Sequence, residues 1–161
     1  MKNAILVVLL AVLLCFTFAC QKGEEVAEEP VLDAEAKTEA LRTLREADKL
    51  WSQSTPDLDA FMSFIVDDVA WFPPSASRPI IGKNEVRSYF EPIFKEPGFL
   101  LTWTPNRIDV SDAGDMGYVY GSYKWTHRDS SDLLVEETRP YATFWKKQNS
   151  GEWKVVLEAD Y

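Results

Sequence analysis

The sequence predicts an α+β domain, and three observations carry that prediction. Helical periodicity fills the first half of the globular portion. Long runs of β-branched and aromatic residues fill the second half, separated by turn-forming tetrapeptides. Helices and strands are thus segregated along the chain, the pattern of helices covering one face of an antiparallel sheet. The chain has 161 residues and is 46% hydrophobic, which suits one domain with one core.

The elements follow in order. Asp33 can cap a first helix over about 33–53, in which Leu41, Leu44, Ala47, Leu50 and Trp51 recur at three- and four-residue spacing. "STPDLDAFMSFI" opens a second, shorter helix with Thr55 as cap, Pro56 in the first turn and Asp57 at the positive helix end. Its apolar stripe is Leu58, Phe61, Met62 and Ile65. "DDVAWFPPSASRP" reads as a turn, a short strand over Val69–Phe72 and a proline-broken loop. A third helix starts after Gly82 and places Val86, Tyr89, Phe90 and Ile93 on one side.

Strands are then expected over 100–110, 116–128, 133–147 and 152–161. "SDAGD", "DSSD" and "QNSG" turn the chain between them, so the pairing is antiparallel. Pro140 has no N–H for a ladder and marks a bulge or an unpaired edge. The chain shows no internal repeat.

The N-terminal segment reads as an address. Lys2 precedes an apolar run from Ala4 to about Phe18, the layout of a secretory signal peptide over 1–19. The run is shorter than the ~20 residues of a spanning helix. "TFAC" resembles the lipobox of bacterial lipoproteins, which implies lipidation of Cys20 and a membrane partner through its acyl chains; Thr17 departs from the usual Leu. Residues 20–32, acidic and without periodicity, form a tether, and 33–161 form the domain. Gln21 resembles an outer-membrane sorting signal where a cell has two membranes.

Composition excludes several functions. The chain carries 17 basic and 26 acidic residues, a net charge of −9, and only Lys2 among these precedes residue 21. An acidic domain repels nucleic acid. Both cysteines, Cys15 and Cys20, lie in the N-terminal segment, so the domain has neither a disulfide framework nor a thiol nucleophile. With one histidine, His127, a His/Cys zinc site is not expected, and no glycine-rich phosphate loop or Gly-x-Ser-x-Gly occurs. No cofactor is expected.

"LWSQSTPDLDAFMSFIVDDVAWFPP" with "IIGKNEVRSYF" resembles the first half of SnoaL-like, or nuclear-transport-factor-2-like, domains. "TFWKKQNSGEWKVVLEADY" resembles the ending of the domain of unknown function 4440 branch. The resemblance spans about 34–161. It implies a cystatin-like cone, a strongly bent antiparallel sheet packed on three N-terminal helices with a pocket at the wide end. It also implies a homodimer through the convex face, as in many members.

Ketosteroid isomerases of this fold use an Asp base, a Tyr on the first helix and a protonated Asp on a later strand. Aligned on Asp67-Asp68 and on Pro140, those positions fall on Pro73, near Lys49 and on Ala142, which cannot do that chemistry. The same alignment points Ala142, Phe144, Val156, Glu158 and Asp160 into the pocket, and Tyr141, Thr143 and Trp145 away from it.

Candidate acid/base groups are therefore Glu158, Asp160 and His127. A carboxyl in an apolar cone gains a raised pKa and can act as general acid or base. The plain alternative pairs Glu158 with a cation such as Arg139 and leaves Asp160 in water at the chain end. Candidate ligand-lining residues are Trp71, Phe72, Trp103, Tyr120, Trp125, Phe144, Val156 and Glu158, with filling of the core as the alternative for each aromatic. The function expected is non-catalytic binding of a small apolar or amphipathic ligand. The alternative is an enzyme of the same fold that uses the pocket carboxylates.

Overall fold

The computed structural model describes residues 31–74 and 77–160. The leader, Cys20 and the tether up to residue 30 lie outside the described residues. Leu32, counted above with the tether, is already pinned to the domain: its N–H donates to the Asp112 carbonyl at 2.8 Å.

Three helices precede the long strands. α1 (Ala34–Gln53) starts where Asp33 accepts from the Ala36 N–H at 2.8 Å. Its buried stripe is Ala40, Leu44, Asp48 and Trp51. Leu50, expected inside, is 47% exposed. The stripe is thus rotated about the helix axis from the all-apolar one, and a carboxylate is turned into the core. α2 (Leu58–Ser63) is capped by Asp57, which accepts from the Ala60 N–H at 3.0 Å. Thr55, the expected cap, instead donates to the Leu101 carbonyl at 2.6 Å and ties this turn to the sheet. α3 (Lys83–Phe94) follows Gly82, whose φ of +100° suits glycine, and buries Val86 and Phe90.

The strands are β1 (Ile65–Phe72), β2 (Ile80–Ile81), β3 (Leu100–Val110), β4 (Met116–Arg128), β5 (Leu134–Lys147) and β6 (Trp153–Asp160). They form one curved sheet in the order β2-β1-β6-β5-β4-β3. β3 to β6 are the expected antiparallel meander. β1 begins at Ile65, four residues before the expected start, and pairs in parallel with β6. Local turn signals are silent about that pairing because it joins distant parts of the chain. From Leu134 to Pro140, β5 is paired to β4 alone, and its pairing to β6 begins at Tyr141. Pro140 therefore occupies a stretch open on one side.

Bulges bend the sheet. The register of β3 on β4 shifts between Pro105 and Arg107, opposite Gly121. A Cβ on Gly121 would run into the Thr104 carbonyl oxygen and lie 2.9 Å from the Pro105 Cα, so the bend requires a residue without a side chain. α1 lies across β3, and α3 packs beside β1. The core between them is rich in rings. Trp51 meets Phe61, Trp103 and Trp145 at centroid separations of 5.1, 4.7 and 5.4 Å.

Candidate functional site

The bulge in β6 decides which side chains reach the space between helices and sheet. Trp145 pairs with Val155, but the next residue back along β5, Phe144, pairs with Leu157. Val156 is thus the extra residue of a bulge, which resets the alternation. Trp153 and Val155 face the core before it, and Glu158 is buried after it. In an unbroken strand, Val155 and Glu158, three apart, would face opposite ways.

A pocket opens between α3, the start of β3 and the inner faces of β4, β5 and β6. Trp71, Trp103, Trp125, Tyr123 and Tyr141 line it, together with Glu158 and Asp160. Phe61, Phe90 and Phe99 extend the aromatic wall. Among the described residues, four buried side-chain polar atoms have no hydrogen-bond partner: Trp71 Nε1, Trp125 Nε1, Tyr141 Oη and Glu158 Oε2. All four belong to residues that line this pocket. Such atoms are rare in native folds, and their convergence marks a place built to meet something else.

Glu158 is 3% exposed. Burial raises its pKa well above the carboxylate range, and a hydrogen bond donated to Asp160 and the negative charge of Asp160 add to the effect. Burial also raises Asp160, opposed by the hydrogen bond from Glu158 and by the positive charge of Arg139. Both carboxyls therefore hold a proton more tightly than free ones, Glu158 the more strongly raised of the two. Tyr141 is pushed up by burial, then by Asp48 and Glu158; Tyr123 is raised by burial, then by Asp160.

The cation expected for Glu158 is engaged elsewhere. Arg139 donates to Glu137 Oε2 from Nη2 at 2.6 Å and from Nε at 3.1 Å, and its guanidinium carbon lies 5.9 Å from the Trp125 ring centre. His127 reaches Glu137 through Nε2 at 3.1 Å and packs 4.2 Å from Trp125. Its pKa is raised by the Arg128 carbonyl, with Glu137 adding to the effect against its burial. The Glu137–Arg139–His127 group thus lies beyond Trp125, on the same inner face of the sheet. Among the described residues, no group of three or more His, Cys, Asp or Glu is arranged to hold a metal ion.

The structure brings Trp71, Trp103, Trp125, Glu158 and Asp160 together around one space. His127 lies outside the lining. Four expected lining residues are placed elsewhere. Phe72, Tyr120 and Phe144 are 40, 44 and 44% exposed on the outer face, and Val156 sits in the bulge. The β5 assignment is inverted throughout: Tyr141, Thr143 and Trp145 are buried, while Phe144 is exposed. A slip of one residue in aligning Pro140 flips every side chain of a strand. The residues opposite the helices are therefore Tyr141 and Thr143 rather than Ala142. Likewise, the first helix presents Asp48 to the core rather than the exposed Lys49.

Asp48 was not foreseen. It is 1% exposed, and its Oδ1 accepts from Trp103 Nε1 at 3.1 Å. Burial pushes its pKa up to about 6, against the pull of that hydrogen bond. The one available signal is its place between Leu44 and Trp51 at helical spacing, where a charged residue interrupts the stripe.

A family model described as a SnoaL-like domain matches residues 48–158. No curated protein matches the chain. Among solved structures, a ketosteroid isomerase-like protein from Erwinia carotovora atroseptica superposes with a TM-score of 0.66 at 17% identity, covering 76% of this chain and 95% of the other. A nuclear-transport-factor-2-like protein of unknown function from Pseudomonas putida gives 0.62 at 18% identity, with 76% and 86% covered. A conserved protein from Planctomyces limnophilus gives 0.63 at 20% identity, with 73% and 91% covered. These likenesses show the fold. The family match spans α1 from Asp48 to Glu158 of the closing strand, and with the bent sheet and helical cover it shows that the chain belongs to the SnoaL-like domain family.

Proposed function

We propose that this domain binds a small, largely apolar ligand bearing one polar group, and that binding rather than catalysis is its work. The observation that carries this is the aromatic-walled pocket in which Glu158 Oε2 is buried without a partner. Ring walls supply affinity without direction, and the lone carboxyl oxygen supplies orientation. Native mass spectrometry of the purified protein tests it. A bound small molecule, lost in a Glu158→Leu variant, is the expected result, and a protein that carries and takes up no apolar compound removes the reading.

One observation favours a second reading. The Glu158–Asp160 pair lies inside an apolar site where burial raises both pKa values, which is the equipment of a general acid/base. An enzyme would convert the recovered ligand over time and Glu158→Gln would not; an unchanged ligand leaves the binding module.

The lipobox-like "TFAC" supports anchoring at a bacterial envelope through Cys20, and the closing "TFWKKQNSGEWKVVLEADY" supports a place in the domain of unknown function 4440 branch. Palmitate labelling that persists in Cys20→Ser would remove the anchor. The outer sheet face exposes Tyr120 and Phe144, which supports pairing of two copies.

A further inference from the structure

The lining of the pocket is one-sided in charge. Among the described residues, Glu158 and Asp160 are its only ionisable carboxyls, and no Lys, Arg or His lines it. The nearby cations are not aimed at the pair: both hydrogen bonds of Arg139 to a carboxylate go to Glu137, and His127 turns to the same residue. Arg139 reaches Asp160 only through its field. Ten of the fifteen lining residues are aromatic, so most of the wall presents ring faces or edges. A ring face is electronegative and attracts a cation, more strongly where water is excluded.

We infer that the ligand of this pocket is an organic cation, an ammonium on an apolar or aromatic body, held by Glu158 and Asp160 and by the surrounding rings. The inference rests on the pocket reading above and names its ligand class. Three ligand classes can be compared against the same walls. An anion meets two acids and negative ring faces. A neutral hydrocarbon buries well but leaves Glu158 Oε2 unmet, which costs a buried acceptor its partner. An ammonium donates to Glu158 Oε2 and to Asp160 at once and supplies the charge that a buried carboxyl pair lacks.

The pair gives a second signature. The groups that face it are Tyr141 and Arg139 from β5 and Tyr123 from β4, with Tyr89 of α3 acting on Tyr123 and Asp48 of α1 acting on Tyr141. Of these only Arg139 is cationic. A bound cation therefore favours the ionised form of the pair, and affinity for a permanent cation rises with pH. An alkylammonium stays charged up to about pH 10, so the change comes from the protein.

The test uses 2-phenylethylammonium, the neutral 2-phenylethanol and the anionic 3-phenylpropanoate, titrated at about pH 6 and about pH 8.5. Tryptophan fluorescence reports binding, because Trp51, Trp71, Trp103 and Trp125 all line the pocket. The ammonium is expected to bind about tenfold or more tighter than the alcohol at the higher pH, with a smaller margin at the lower. In Glu158→Gln the ammonium preference falls severalfold; Asp160→Asn gives the same comparison should that variant not fold. An alcohol that binds as tightly as the ammonium, or a preference unchanged in both variants, overturns the cation and leaves the pocket. Binding by none of the three compounds overturns both.

Discussion

Asp48→Asn isolates the electrostatic cost of the one carboxylate that α1 buries. Asp48 is 1% exposed and receives a single side-chain hydrogen bond, from Trp103 Nε1 at 3.1 Å. Burial carries its pKa from 3.8 to about 6. The sign follows from which state holds the proton. Below about pH 3.8 the carboxyl is neutral in both folded and unfolded chains. Between that value and about 6 the folded chain keeps a proton that the unfolded chain has lost, so stability falls as pH rises. Above about 6 both states are ionised and the penalty is complete. A shift of about two units corresponds to roughly 3 kcal/mol.

Asparagine keeps an oxygen for Trp103 and removes the charge. Its amide brings a buried N–H₂ whose own cost, about 1–3 kcal/mol, does not change with pH. The quantity to read is therefore the stability difference between variant and wild type as a function of pH. It is expected to move in favour of the variant by roughly 3 kcal/mol between about pH 3.5 and pH 7.5. Urea unfolding followed by tryptophan fluorescence measures it, and with an m-value of about 1–3 kcal/mol/M the midpoints diverge by about 1–3 M. The carboxyls of Glu158 and Asp160 contribute a slope of the same sign to both proteins, and it cancels in the difference. Parallel curves across the range would refute the reasoning, because they would mean that Asp48 does not ionise in a dry site.

Glu158→Gln removes the more strongly raised member of the buried pair, so the variant gains stability relative to wild type as pH rises through the raised pKa of Glu158; a difference that shrinks with pH, read in the same urea series, contradicts this. Gly121→Ala forces a Cβ against the Thr104 carbonyl at the β3 bulge and is expected to cost about 1–3 kcal/mol, visible as a lower thermal midpoint; an unchanged midpoint means the bulge yields freely. Tyr120→Glu on the outer face is expected to convert a dimer into a monomer in sedimentation, and a wild-type protein that is monomeric at every concentration tested removes the dimer.

The helix starts at Asp33 and after Gly82, the four long strands and the turns between them follow from caps, periodicity and turn residues, all of which are local. The candidate site was less legible. Glu158 and Asp160 were visible as acids two apart on a closing strand, and Trp71, Trp103 and Trp125 as aromatics on elements near it. The alignment pointed both acids inward, where the structure has them, but it pointed Val156 inward with them, and there the strand bulges. In β5 the alternation was right and its phase was wrong, so Phe144 and Tyr141 exchanged places. In α1 the most apolar stripe would have hidden Leu50, but Trp103 from β3 offers an N–H to Asp48, and the helix turns that way instead.

The sequence by itself determined the class of fold, the order of its elements and the net acidity of the chain, because periodicity, capping and charge are properties of neighbouring residues. Only the tertiary structure decided that β1 lies parallel beside β6, and that a one-residue bulge at Val156 turns Glu158 inward. It also decided that Arg139 is spent on Glu137 and not on the carboxyl pair. Each of these depends on the register between strands and on which donors meet across the core, and no stretch of sequence encodes a register alone.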